Sequence, residues 1–115
     1  MAITPTVRRA VFARDQHCLH CGLTEGLTIQ HRVNRGAGGS KFRDNPANLI
    51  ALCGLSNQLL EADAVRAQAG RDHGWKLRSW EDPLLVPVLD VLTGQWWVLN
   101  DKFERTETRK KELAA

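Results

Sequence analysis

The sequence lacks an apolar run that approaches the roughly 20 residues of a membrane-spanning helix. Its first residues, MAITPTVRRAVFARD, lack the charged start, apolar stretch and small-residue cleavage site of a signal peptide. Neither an internal repeat nor a low-complexity linker divides the 115 residues. These absences favour a single soluble domain with a modest core and a cytoplasmic location.

Cysteine is scarce and odd in number, with three residues in the chain. Disulfides are not expected in a reducing compartment, and the CxxC pair formed by Cys18 and Cys21 favours metal binding. The alternative is that the three residues pack as small buried thiols. Redox catalysis is disfavoured because no thioredoxin-like strand and helix surround the pair.

The net charge of +3 is mild but unevenly distributed. Residues 1–57 hold seven Lys and Arg against three Asp and Glu, whereas residues 58–115 hold nine against ten. A basic N-terminal half suits a protein that binds phosphate groups.

Local patterns predict a helix, a strand, a loop and a second strand in the first half of the chain. Thr4 and Pro5 resemble a helix cap followed by a first-turn proline, and helical spacing then continues to Asp15. The segment LTIQHRV favours a strand, NRGAGGSKFRDNPAN a loop, and LIALC a short apolar segment.

The second half predicts helices followed by a hairpin. Helical spacing begins near Ser56, and Asp63 is suited to cap a second helix that ends at Gly70 or Gly74. Residues 84–99 predict two strands joined by a turn at Thr93-Gly94. Residues 1–101 are therefore predicted to form one domain, and 102–115 a charged tail that is a frayed helix or disordered.

The segments HCLHCG, IQHRVNRGAGGS and NPANLIALCGLSN together resemble the HNH endonucleases, most closely the small HNH proteins of bacteriophages. The resemblance covers roughly residues 8–75 and implies a ββα-metal centre, with its core motif over residues 18–62. Together with the N-terminal helix, the CxxC knuckle and the C-terminal hairpin that local patterns predict, this gives an α+β fold. It implies that His31 is the general base, that Asn48 orients it, and that Asn57 helps to hold a divalent ion. The implied activity is hydrolysis of DNA phosphodiester bonds with Mg²⁺ or Mn²⁺.

The chain departs from the family pattern at the two positions that bind the divalent ion. Gln30 stands where Asp or His is common, and Asn57 stands where His is common. Both candidate ligands are neutral amides, so we expect the substrate phosphate to supply the missing negative charge. Taken singly, His31 could be a structural histidine, Asn48 a turn residue and Asn57 a helix cap.

The resemblance also implies a structural zinc held by two CxxC pairs. Cys18 and Cys21 form the first pair and Cys53 begins the second, but Ser56 stands at the fourth thiol position. Serine is a poor zinc ligand at neutral pH, so a fourth ligand would come from a histidine or the site would be empty. The candidate histidines are His73, His20 and His17.

Four basic residues lie between His31 and Asn48 among glycines, a composition that suits contact with DNA phosphates: Arg32, Arg35, Lys41 and Arg43. A solvated charged loop is the alternative. The four tryptophans are assigned no binding role, because aromatic residues more often pack in cores.

These features predict an HNH endonuclease that nicks or cuts DNA in the cytosol of a bacterial host. The resemblance implies that it is an accessory to DNA packaging that acts beside a phage terminase. Two alternatives remain. One is a catalytically degenerate HNH module that binds DNA, and the other is a protein-binding inhibitor or adaptor.

Overall fold

A computed structural model describes residues 3–34 and 43–109 of the chain. Within those ranges the fold is α+β, as predicted, with three α-helices and two antiparallel sheets. In chain order the elements are α1 Pro5–Asp15, β1 Leu27–His31, a 3-10 turn Pro46–Asn48, β2 Leu49–Cys53, α2 Gly54–Ala62, α3 Ala64–Asp72, β3 Val88–Asp90, β4 Gln95–Leu99 and β5 Arg105–Thr108.

Helix α1 begins and ends at the predicted residues. The Thr4 side chain accepts a hydrogen bond from the backbone N–H of Val7 at 3.2 Å, and Pro5 occupies the first turn. At the other end, the buried Asp15 carboxylate accepts a hydrogen bond from the N–H of Ala51 at 2.9 Å. The same carboxylate forms an ion pair with Arg14, whose Nε atom lies 2.7 Å from Asp15 Oδ1. Helix α1 is therefore attached to the middle of β2.

Strands β1 and β2 form an antiparallel hairpin. Leu27 lies opposite Cys53 at one end, and His31 lies opposite Leu49 at the other. Every residue of β2 is buried, with α1 and α2 both packed against it. A strand covered in this way requires a continuous apolar run, which explains the segment LIALC.

Helices α2 and α3 form a closely packed pair. Asp63 caps α3, accepting hydrogen bonds from the backbone N–H groups of Val65 and Arg66, as its position predicts. Gly70 lies so near α2 that a Cβ atom there would come within 2.2 Å of Leu60 Cδ1. A side chain at this position would therefore displace the end of the Leu60 side chain.

The second sheet has the order β3, β4, β5. The predicted turn at Thr93-Gly94 is confirmed, and Gly94 has the positive φ of 73° that favours glycine. The predicted frayed tail is wrong for residues 105–108, because β5 pairs with β4 and the Arg105 guanidinium lies 4.0 Å from the centroid of the Trp97 ring. Residues 110–115 of the predicted tail lie outside the described residues.

No helix within the described ranges combines the length and the apolar character needed to cross a bilayer.

Candidate functional site

His31 lies at the last position of β1 and is partly exposed. Its Nε2 atom lies 2.8 Å from Oδ1 of Asp44, and the side chains are 20% and 24% exposed. An ionised carboxylate can only accept hydrogen bonds, so Nε2 must carry the proton in this pair. In the neutral ring, Nδ1 is then the basic nitrogen. The pair therefore has the arrangement of a histidine base oriented by a carboxylate.

Asn48 acts on the backbone beside His31, whereas the imidazole itself is bonded to Asp44. Its Oδ1 atom accepts a hydrogen bond from the N–H of Val33 at 2.8 Å. Its Nδ2 atom donates to the carbonyl oxygens of Val33 at 3.0 Å and Arg43 at 2.7 Å. The buried Asn48 amide thus ties together the two ends of the loop that joins β1 to β2.

Arg32 corrects the prediction of a phosphate contact. The side chain is buried, and its guanidinium donates to four backbone carbonyl oxygens, those of Gly74, Ala47, Pro83 and Val86. Burial, together with the nearby charge of Arg14, lowers the pKa of Arg32 to about 9, so the group remains charged at pH 7. Its hydrogen-bonding capacity is directed inward, and it fastens residues 74–86 to the end of β1.

The other three predicted basic residues have different placements. Arg35 and Lys41 lie outside the described residues. Arg43 is partly exposed, and its guanidinium makes a long contact of 3.4 Å with the carbonyl oxygen of Ser79. Among the described members of this set, Arg43 is the one with access to solvent.

Gln30 and Asn57, the predicted ligands of the catalytic ion, are positioned by β1 and α2. Gln30 is buried, and the Nε2 atom of its amide has no hydrogen-bond partner among the described residues. Asn57 Nδ2 donates to Thr28 Oγ1 at 2.9 Å and lies 3.4 Å from the carbonyl oxygen of Ile29. Amide nitrogen and oxygen exchange places on a half-turn, so the orphaned Gln30 atom can equally be an oxygen ligand. The hydrogen bonds of Asn57 use its Nδ2 atom, so its Oδ1 atom is the one that could bind a cation.

The three cysteines converge at the opposite end of the hairpin and form what we call the thiol cluster, consisting of Cys18, Cys21 and Cys53. Their sulfur atoms all lie within 4.8 Å of one another, and the Cys21 and Cys53 sulfurs are 3.6 Å apart. Zinc binds thiolates at about 2.3 Å, so sulfurs sharing a tetrahedral ion lie about 3.8 Å apart. The cluster can therefore hold a metal ion such as zinc.

Ser56 and His20 border the thiol cluster. Ser56 Oγ lies 3.1 Å from Cys53 Sγ and 3.7 Å from Cys18 Sγ. His20 Nδ1 lies 2.9 Å from the same hydroxyl oxygen. The position of the missing fourth thiol is thus occupied by a hydroxyl that is hydrogen-bonded to a histidine.

The surroundings shift the acidity of these groups. Burial raises the pKa of Cys53, but hydrogen bonds from the Ser56 hydroxyl and N–H and from the other two thiols outweigh it and lower the pKa to about 7. Burial is also the main cause that raises the pKa of Cys21. Burial, followed by the charge of Arg66, lowers the pKa of His20 and favours the neutral imidazole, the form that binds metals.

The other two candidate histidines have different surroundings. His17 Nε2 lies 2.7 Å from Asp90 Oδ2, in a mostly buried pair. The ring of His73 packs edge-on against Trp75, with centroids 4.7 Å apart, after the end of α3. His20 is therefore the candidate with a contact of 2.9 Å to the fourth corner of the cluster.

Sequence reasoning missed Asp44. It precedes the Asn-Pro turn and lies 13 residues after His31, so no fixed spacing links the two. An acidic residue inside an otherwise basic loop is the signal that could have drawn attention to it.

Comparison with known proteins adds no family to this geometry: no family model matches the chain, and no match was found among curated proteins or solved structures.

Proposed function

We propose that the chain is an HNH-type endonuclease that hydrolyses DNA phosphodiester bonds with Mg²⁺ or Mn²⁺. The observation that carries the proposal is the His31–Asp44 pair, partly exposed at the end of β1 beside a basic, glycine-rich loop. The order of β1, loop, β2 and α2 also agrees with the ββα arrangement that the sequence resemblance implies.

His31 supplies the base in this proposal. With the proton on Nε2 and the bond to Asp44, Nδ1 is the ring nitrogen that accepts a proton from a water molecule that attacks phosphorus. Asp44 favours this tautomer and stabilises the imidazolium that forms, which is the role of a carboxylate in a base dyad. Asn48 positions the pair through hydrogen bonds to the backbone of Val33, close to His31, and of Arg43, next to Asp44.

Gln30 and Asn57 are the residues that would hold the divalent ion. The orphaned Gln30 amide and the Asn57 carbonyl fit a cation that prefers oxygen ligands and takes its remaining charge from the substrate. When bound, the ion would stabilise the negative charge that develops on the phosphate and on the leaving oxygen.

The thiol cluster has a separate, structural role in the proposal. A zinc ion there would link the loop after α1 to the junction of β2 and α2, where Cys53 caps the helix. The cluster and His31 mark opposite ends of the hairpin, so this ion is distinct from the catalytic one.

A second candidate function is binding without cleavage, to DNA or to a protein such as a phage terminase. The specific observation that favours it is the pair of neutral amides, Gln30 and Asn57, where a carboxylate or histidine would bind the ion more tightly. DNA binding with no cleavage would identify the first form, and capture of a protein partner independent of His31 the second.

The test is conversion of supercoiled plasmid to nicked or linear forms by the purified protein, with Mg²⁺, Mn²⁺ or EDTA. His31→Ala is compared with His17→Gln, a matched control because His17 also pairs with a carboxylate but lies elsewhere in the fold. The proposal expects metal-dependent cutting that survives in the control and disappears in His31→Ala. A wild-type protein inert with every metal would contradict it.

A further inference from the structure

The segments Cys18–Cys21 and Cys53–Ser56 share one backbone pattern, although the second ends in serine. In the first, the N–H of Cys21 points to Cys18 Sγ at 3.5 Å, and in the second, the N–H of Ser56 points to Cys53 Sγ at 3.4 Å. The second segment therefore retains the geometry of a metal-binding knuckle. Ser56 occupies in it the position that Cys21 occupies in the first.

The distances around Ser56 describe the fourth corner of a tetrahedral site. Its Oγ atom lies 3.1 Å and 3.7 Å from two of the sulfurs, comparable with the 3.6 Å that separates Cys21 Sγ from Cys53 Sγ. A neutral hydroxyl is a weak zinc ligand, whereas thiolates and imidazoles are the usual donors. The corner is thus in place, but the residue there is not the donor that zinc prefers.

We propose that His20 is the fourth protein ligand of a zinc ion held by the thiol cluster. Its Nδ1 atom already lies 2.9 Å from the hydroxyl oxygen at the fourth corner. In this proposal the imidazole turns about its side-chain torsions and takes the place of the hydroxyl at the ion. The Ser56 hydroxyl then donates a hydrogen bond to the Cys53 thiolate, whose sulfur lies 3.1 Å from Ser56 Oγ.

The ring of His20 has open space beside it. The ring borders a cavity of about 60 Å³ that is also lined by Ser56, Trp75 and His73. His20 also lies between Cys18 and Cys21 in the sequence, so its backbone is fixed relative to two of the three sulfurs. His73 borders the same cavity from the end of α3 and is therefore the appropriate control histidine.

The first test measures zinc stoichiometry and affinity by chelator competition in the full-length protein. We expect one zinc per chain in the wild type and a loss of affinity of about 100-fold or more in His20→Gln, because a direct ligand is removed. Ser56→Ala removes an outer hydrogen bond to Cys53 and should cost about tenfold, less than His20→Gln. His73→Gln should leave the affinity unchanged. Adding Ser56→Cys to His20→Gln should restore affinity, because the site then has four thiolates.

The second test detects imidazole ligation in the wild-type protein itself, and a variant is needed only to assign the signal to His20. With ¹¹³Cd in place of zinc and ¹⁵N-labelled histidine, we expect a one-bond cadmium–nitrogen coupling to a single imidazole nitrogen, which disappears in His20→Gln. Three results would overturn the proposal: no metal bound by the wild type, no coupling to any imidazole, or unchanged affinity in His20→Gln. A selective loss in Ser56→Ala would assign the corner to the hydroxyl instead.

None of these measurements involves DNA, so this inference and the nuclease proposal can fail independently.

Discussion

The two ends of the β1–β2 hairpin differ in exposure and in chemistry. At the end where Leu27 faces Cys53, two of the three thiols are buried, as suits a structural metal site. At the end where His31 faces Leu49, a histidine and a carboxylate remain partly open to solvent. The same two strands fix both groups. Stability and reactivity should therefore respond to different mutations.

The neighbours His31 and Arg32 show the same contrast within two residues. His31 keeps its ring at the surface, whereas Arg32 is 1% exposed and bonded to four carbonyl oxygens. A basic residue beside a candidate base therefore need not contact substrate. Here it anchors residues 74–86 to the end of β1.

Removing the metal should have the largest effect on stability and would sharpen the contrast between the two ends. If zinc is present at 1,000 times its dissociation constant, its removal lowers the free energy of unfolding by about 4 kcal/mol. Urea unfolding of zinc-loaded protein with and without a strong chelator measures this. Coincident unfolding curves would show that the thiol cluster contributes no metal-linked stability. Cys53→Ala should make the protein insensitive to the chelator.

Arg32→Met should lower the free energy of unfolding by about 3 kcal/mol, because four carbonyl oxygens, three of them in buried hydrogen bonds, lose their donor. Arg43→Met is the matched control. It should stay within about 0.5 kcal/mol, since Arg43 is partly exposed and makes a long contact. Urea midpoints of both variants provide the measurement. Equal effects would mean that burial of Arg32 does not matter for the fold.

Asn48→Ala should cost about 2 kcal/mol, because three hydrogen bonds that close the β1–β2 loop are lost and buried backbone groups are left unpaired. Asn45→Ala, which removes an exposed bond to Asp101, should cost less than about 1 kcal/mol. Thermal unfolding of the two variants compares them. A larger loss of stability in Asn45→Ala than in Asn48→Ala would mean that Asn48 is not the main residue holding the loop.

Asp44→Asn should have the smallest effect and should act on cleavage alone. An amide can offer its N–H to Nε2 and so favour the tautomer with the proton on Nδ1, which is unsuited to act as the base. We expect the cleavage rate to fall about tenfold, equivalent to about 1.4 kcal/mol, because the pair is partly exposed. An unchanged rate at matched stability would remove Asp44 from the mechanism.

Local signals in the sequence predicted much of the fold. Thr4-Pro5 marks the start of α1, LIALC matches the buried β2, and Thr93-Gly94 marks the turn before β4. Each of these depends on a few neighbouring residues. Strand β5 was missed because RTET carries polar residues throughout and gains its partner only when β4 is in place.

The parts of the site that escaped prediction depend on long-range contacts. Three of the carbonyl acceptors of Arg32 lie 42, 51 and 54 residues further along the chain, so its burial follows from tertiary packing. Asp44 pairs with His31 only in the folded loop, whose two ends are joined by hydrogen bonds to Asn48. The convergence of the thiols was suggested by spacing, but the placement of His20 against Ser56 was not.

The most direct test of His31 as the general base is to measure DNA cleavage and the free energy of unfolding on the same His31→Ala protein. Single-turnover cleavage of plasmid with Mg²⁺ or Mn²⁺ gives the first quantity, and urea unfolding of the same preparation gives the second. If His31 is the general base, cleavage falls by about 10²- to 10⁴-fold, while the free energy of unfolding changes by no more than about 1 kcal/mol. Wild-type cleavage by a stable His31→Ala protein would contradict the account, because the base would then lie elsewhere.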